Sequence, residues 1–97
     1  MTTSTTNSTA ASDESPFEFP CTFPLKVMGM NSDSFEVDMV MIVRKYCPDF
    51  FEGAVKSRPS RTGKYVSVTI TFAASSREQL DHIYREAHRH PDFKMAL

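Results

Sequence analysis

The chain has 97 residues, 40% hydrophobic and 24% charged, and its 11 Lys and Arg against 12 Asp and Glu leave a formal charge of −1. That balance excludes a globally basic nucleic-acid binder and an acidic solvating tail, so any partner has to be read from local patches. Charges interrupt every hydrophobic stretch, and none approaches the roughly 20 residues of a membrane-spanning helix.

Residues 1–15 hold nine Ser or Thr and no apolar side chain larger than Ala after Met1. Such a segment cannot repay its ordering entropy by burial, so a disordered tail over 1–15 is expected ahead of one domain over 16–97. It also lacks the basic start and apolar run of a secretory signal, which predicts a cytoplasmic location. Cys21 and Cys47 then read as reduced packing thiols, and the methionines as gap fillers for the core. Pro16-Phe17-Glu18-Phe19-Pro20 reads as an extended arm latched onto the domain.

In residues 22–29, Phe23, Leu25 and Val27 alternate with Pro24, Lys26 and Met28, the period of a half-buried strand. Gly29 ends it. Asp33 and Glu36 resemble a capping box, and Phe35, Met39, Ile42, Val43 and Tyr46 recur at helical spacing up to about Cys47. Pro48 stops this helix, with Phe50 and Phe51 in the connection and Gly53 before a short extended segment over 54–60, which Pro59 restricts to a sheet edge. Arg61-Thr62-Gly63-Lys64 reads as a hairpin turn with Gly63 at positive φ. Over 65–73, Val66, Val68, Ile70 and Phe72 share one face, opposite Tyr65, Ser67, Thr69 and Thr71. Ser75 and Glu78 make a second capping box before a helix with Leu80, Ile83, Tyr84 and Ala87 on its stripe, which Pro91 ends. Phe93, Met95 and Leu97 alternate with Asp92, Lys94 and Ala96 in a last strand.

The order β-α-β-β-α-β, with right-handed crossovers, predicts an α+β fold: a ferredoxin-like sandwich with a four-stranded antiparallel sheet and two helices on one face. The first and third strands should be central. The free sheet face and the two edge strands then offer a second chain somewhere to add, and a homodimer is expected.

Chemistry-bearing residues are sparse. His82, Glu86 and His90 share a helix flank at i, i+4, i+8, but nothing completes a set of ligands, and Asp81 with Arg85 and Glu86 with His90 read as ordinary helix pairs. No nucleophile, base and orienting group come together, so no catalytic residue, cofactor or metal is assigned. Lys56, Arg58, Arg61 and Lys64 form an anion patch on the edge strand and hairpin. The same element order serves RNA-recognition domains, but Lys26 stands where their first strand carries an aromatic and Tyr65 is alone on the third, so nucleic acid is not the expected partner.

Lys26-Val27-Met28-Gly29, the hairpin Ser60-Arg61-Thr62-Gly63-Lys64-Tyr65 and the following Val66-Ser67-Val68-Thr69-Ile70-Thr71 together resemble the YbeD-like family of small uncharacterised bacterial proteins. The resemblance covers residues 17–97, and it implies a fold similar to the ACT regulatory domains, which bind small ligands, commonly amino acids, at subunit interfaces. The long Ser/Thr-rich extension and the acidic Asp49 and Glu52 depart from the family pattern without touching these motifs. In ACT-like domains the turn after the first strand carries a glycine near the ligand. Gly29 holds that place here, with Met30, Asn31 and Ser32 as backbone donors. Family members are often encoded near lipoate-synthesis genes, which implies a link to lipoate metabolism.

Together these readings predict a non-enzymatic regulatory or interaction module. Its contact surface for a small-molecule ligand or protein partner comprises Lys26, Gly29, Asn31, Ser32, Tyr65, Ser67 and Thr69, with a lysine mid-face placed to meet a carboxylate or phosphate. The alternative is an adaptor that uses the basic hairpin to bind RNA or an acidic protein.

Overall fold

The computed structural model describes residues 18–50 and 54–97. The Ser/Thr-rich tail, Pro16 and Phe17 of the arm, and Phe51 and Gly53 of the connection lie outside the described residues. The elements follow as β1 (Cys21–Met30), α1 (Phe35–Tyr46), β2 (Val55–Pro59), β3 (Tyr65–Ala74), α2 (Arg77–His88) and β4 (Phe93–Ala96). All strand pairs are antiparallel in one sheet of order β2-β3-β1-β4. This is the ferredoxin-like order, with the first and third strands at the centre.

Alternation on the central pair decides which side is covered. Leu25 and Val27 of β1 and Val66, Val68, Ile70, Phe72 and Ala74 of β3 are buried against Phe35, Met39 and Val43 of α1 and Leu80, Ile83 and Ala87 of α2. Phe19, the described end of the arm, packs against the same core. Both cysteines are free, and Cys47 is buried at the end of α1. Gly63 has φ 80° in the β2-β3 hairpin, which Ser60 closes through its N–H to the Tyr65 carbonyl at 2.8 Å.

The helix starts differ from the expected boxes because tertiary partners supply the caps. The Ser34 N-cap of α1 makes no side-chain bond; instead the Ser32 hydroxyl accepts from Phe35 N–H at 3.2 Å and donates to Asp92 at 2.7 Å. At α2 the cap is Ser76, one residue later than expected, accepting from Gln79 N–H at 3.1 Å. Gln79 in turn accepts from Ser75 N–H and donates to the Tyr46 carbonyl, each at 2.7 Å, so one side chain ties the start of α2 to the end of α1.

Two further expectations are corrected. Of the described methionines only Met39 is a core residue; Met28 and Met30 are half-buried on the opposite sheet face, and Met41 and Met95 are exposed. In β4 a register shift lies between the partners of Met28 and Gly29: Gly29 faces Phe93 and Met28 faces Met95. The bulge breaks strict alternation, turning Phe93 toward the core and Met95 away from it.

A polar clasp joins the helices on their outer side. Glu86 accepts from Lys45 at 2.8 Å and from the Tyr46 hydroxyl, while His82 stacks on the Tyr46 ring. The hydrogen bonds from Lys45 and then Tyr46 hold the Glu86 carboxyl below its ordinary range. The bond to Glu86 is likewise the main cause that raises Lys45 and Tyr46 above theirs. The Glu86 contribution is therefore present above its ordinary value of 4.5 and lost as pH falls through its lowered value. Those of Tyr46 and Lys45 are present below their ordinary values of 10.0 and 10.5 and lost as pH rises through the raised ones. Thermal melts across the acid and alkaline ranges should show Glu86→Gln flattening both limbs by a few degrees. Limbs as steep as in the parent would contradict this assignment.

Candidate functional site

The uncovered sheet face is a ladder of alternate residues whose register sets its chemistry. One row runs Lys56, Thr69, Lys26 across β2, β3 and β1, and the next runs Arg58, Ser67, Met28. At the spacing of sheet strands, Lys26 and Lys56 have Cα atoms about 10 Å apart with Thr69 between them, so their long side chains can reach one bound group. Leu97 joins the first row by donating its N–H to the Lys26 carbonyl at 2.8 Å, and Met95 joins the second beside Met28.

A shallow depression of about 510 Å³ lies over these rows, lined by Lys26, Lys56, Ser57, Arg58, Ser67, Thr69 and Leu97. Among its lining side chains are three cations and the hydroxyls of Ser67 and Thr69, with no acidic side chain. Among the described residues none of Lys26, Lys56 and Arg58 has an ion-pair partner. Side-by-side like charges on a sheet face repel, and an anion held between them relieves the repulsion while accepting charge-assisted hydrogen bonds.

The site thus unites residues from both surfaces read in the sequence and divides each. Lys26, Ser67 and Thr69 meet Lys56 and Arg58 in the depression. Arg61 and Lys64 lie outside it at the hairpin, where Lys64 sits 5.5 Å over the Tyr65 ring. Tyr65 is on the same face at the far end, opposite Met30. The turn residues are committed elsewhere. Gly29 is buried, and a Cβ there would lie 2.5 Å from the Phe35 ring and 2.6 Å from the Asp92 carbonyl oxygen, so close packing requires the glycine. Met30 N–H donates to Asp92, Asn31 N–H to Lys64 and Ser32 N–H to Met30, so these backbone donors are spent within the fold. The Asn31 amide donates to the Gly63 carbonyl at 3.0 Å, binding this turn to the hairpin.

The apolar rim of Met28, Met95 and Leu97 did not emerge from sequence reasoning. Its signal was present in the shared parity of Lys26 and Met28, but the bulge that aligns Met95 with them has no local signature. On the helical side, His82, Glu86 and His90 do not converge. His82 meets Tyr46 and Glu86 meets Lys45, while His90, beyond the end of α2, bonds Asp38 through Nε2 at 2.7 Å and accepts Asp92 N–H on Nδ1 at 3.1 Å. The described i, i+4 pair on α2 is Arg77 with Asp81, not Asp81 with Arg85. Among the described residues no three His, Cys, Asp or Glu side chains gather as a metal site, and no helix is long and apolar enough to cross a membrane.

Comparison with known proteins covers nearly this whole unit. Residues 14–97 match the family described as "Protein of unknown function (DUF493)". The UPF0250 protein NE1487 of Nitrosomonas europaea is 44% identical over 85 residues, 88% of this chain and 98% of that protein. A UPF0250 protein of Janthinobacterium sp. (strain Marseille) is 45% identical, over 87% of this chain and 92% of the relative. The solution structure of protein HP0495 from H. pylori superposes with a TM-score of 0.65 at 15% identity, covering 88% of this chain and 90% of that one. That likeness bears on the fold alone.

Proposed function

This chain belongs to the DUF493 family, the UPF0250 proteins that the YbeD-like motifs resemble, and from the geometry of its open sheet face we propose a non-enzymatic regulatory module that holds a small anionic ligand there. The observation that carries this reading is the group of three cations around Ser67 and Thr69 that have no ion-pair partner among the described residues. A carboxylate is the head group such a site suits, since the lysines and the hydroxyls all donate. Met28, Met95 and Leu97 beside it suit a short apolar chain attached to that head. An amphipathic carboxylate fits both halves, and the lipoate link implied by the family resemblance belongs to the same chemical class.

Face-to-face association of two copies would bring six of these cations together, twice the three of one face. Anion binding removes that opposition, so the homodimer is expected to depend on ligand. Calorimetry with acetate, octanoate and lipoate tests the reading: affinity should rise with the apolar chain, and Lys26→Ala should weaken octanoate binding about tenfold. Equal affinity for acetate and octanoate, or no effect of Lys26→Ala, would reject it. An RNA ligand would instead show a log-log salt slope of about −2 to −3 for three neutralised phosphates.

A further inference from the structure

The edge strand β2 carries a second feature that the depression does not use. Its inner side is fixed by the Ser60 N–H bond to the Tyr65 carbonyl. From that pair the antiparallel ladder alternates, so Arg58 and Lys56 bond toward β3, while the backbone groups of Val55, Ser57 and Pro59 point away from the sheet. Pro59 sits where its missing N–H costs β3 nothing. Among the described residues nothing bonds this outward edge, which offers two N–H donors, on Val55 and Ser57, and three carbonyl acceptors.

The two faces beside this edge differ in chemistry. On the open side stand Lys56 and Arg58. On the helical side, Val37 and Met41 of α1 are each 58% exposed, and with Glu36, Val40, Arg44 and Val55 they line a groove of about 260 Å³. A strand laid along β2 would alternate its side chains between these two surroundings.

We propose that the outer edge of β2 is the docking site for an extended peptide segment of a partner protein that alternates acidic and apolar residues and adds to the sheet as a fifth strand. Acids at every second position meet Lys56 and Arg58, the intervening apolar residues cover Val37, Val40 and Met41, and the main chain takes up the free edge of Val55 and Ser57. Charge selects this occupant over a second copy, because antiparallel pairing of two β2 strands would set Lys56 and Arg58 against their own kind. The proposal shares two cations with the ligand site but does not need Lys26.

The probe is a blocked seven-residue peptide of alternating glutamate and valine, followed by fluorescence anisotropy with the full chain. Met41→Asp, at an exposed position, should weaken its binding about tenfold, and N-methylation of the peptide amides that face β2 should abolish it, whereas Lys26→Ala should leave it within twofold. Octanoate binding should show the reverse pattern, weakened about tenfold by Lys26→Ala and kept with Met41→Asp, which separates failure of either reading. Binding that survives N-methylation, or a peptide of alternating lysine and valine that binds as well, would overturn the proposal. So would self-association abolished by Ser57→Pro, which would assign the edge to a second copy.

Discussion

Val68→Asp is expected to unfold the domain at room temperature, whereas Thr69→Asp, one residue along β3, should leave it folded. Val68 has no exposed surface and lies within the helical core, so a carboxylate there would be buried without a partner at a cost of about 4 kcal/mol or more. That is most of the stability a domain of this size possesses. Thr69 lies on the open face with Lys26 and Lys56 as its cross-strand partners. The lost strand propensity there is offset by two favourable charge pairs, and the net change should stay within about 1 kcal/mol. Urea denaturation of both variants gives the comparison. The folded Thr69→Asp protein should also fail to bind octanoate, because its own carboxylate occupies the cationic ladder. Similar denaturation midpoints for the two variants would contradict the assignment of a covered and an open face.

Gly29→Ala should have the second largest effect. The added Cβ would meet the Phe35 ring at 2.5 Å and the Asp92 carbonyl oxygen at 2.6 Å, and only the first of these belongs to a side chain. Overpacking of this kind costs about 2–3 kcal/mol, which in a domain of this length lowers the melting temperature by about 10–20 °C. Phe35→Leu introduced together with Gly29→Ala should cost less than the two changes summed, since each relieves the other. Additive losses would place the strain elsewhere. The result also separates packing from ligand contact: a glycine needed for a ligand would lose binding without losing stability, and the reverse is expected here.

The strand and helix order could be read from the sequence because the period changes cleanly from 2 at Phe23, Leu25 and Val27 to helical at Phe35, Met39 and Val43, and back to 2 at Val66, Val68 and Ile70. These patterns report burial directly, and burial on one face implies the open face opposite. What escaped was set by contacts distant in the chain. The expected Asp33 and Glu36 box gave way to Ser32 because Asp92, sixty residues on, orients that hydroxyl. His90 looked like a continuation of the His82 and Glu86 flank until the end of α2 at His88 turned it toward Asp38. The candidate site was half legible: Lys26, Ser67 and Thr69 were singled out together, but their union with Lys56 and Arg58 follows from strand register, which alternation alone leaves undetermined. The apolar rim depended on a bulge in β4.

The open face of the sheet is proposed to recognise a small anionic ligand. Amide shift mapping during titration with octanoate tests it most directly. The signals of Lys26, Lys56, Arg58, Ser67 and Thr69 should move together and saturate while those of α1 and α2 stay in place. Shifts confined to the helices or to the turn at residues 29–32, or no saturable shift at all, would contradict it.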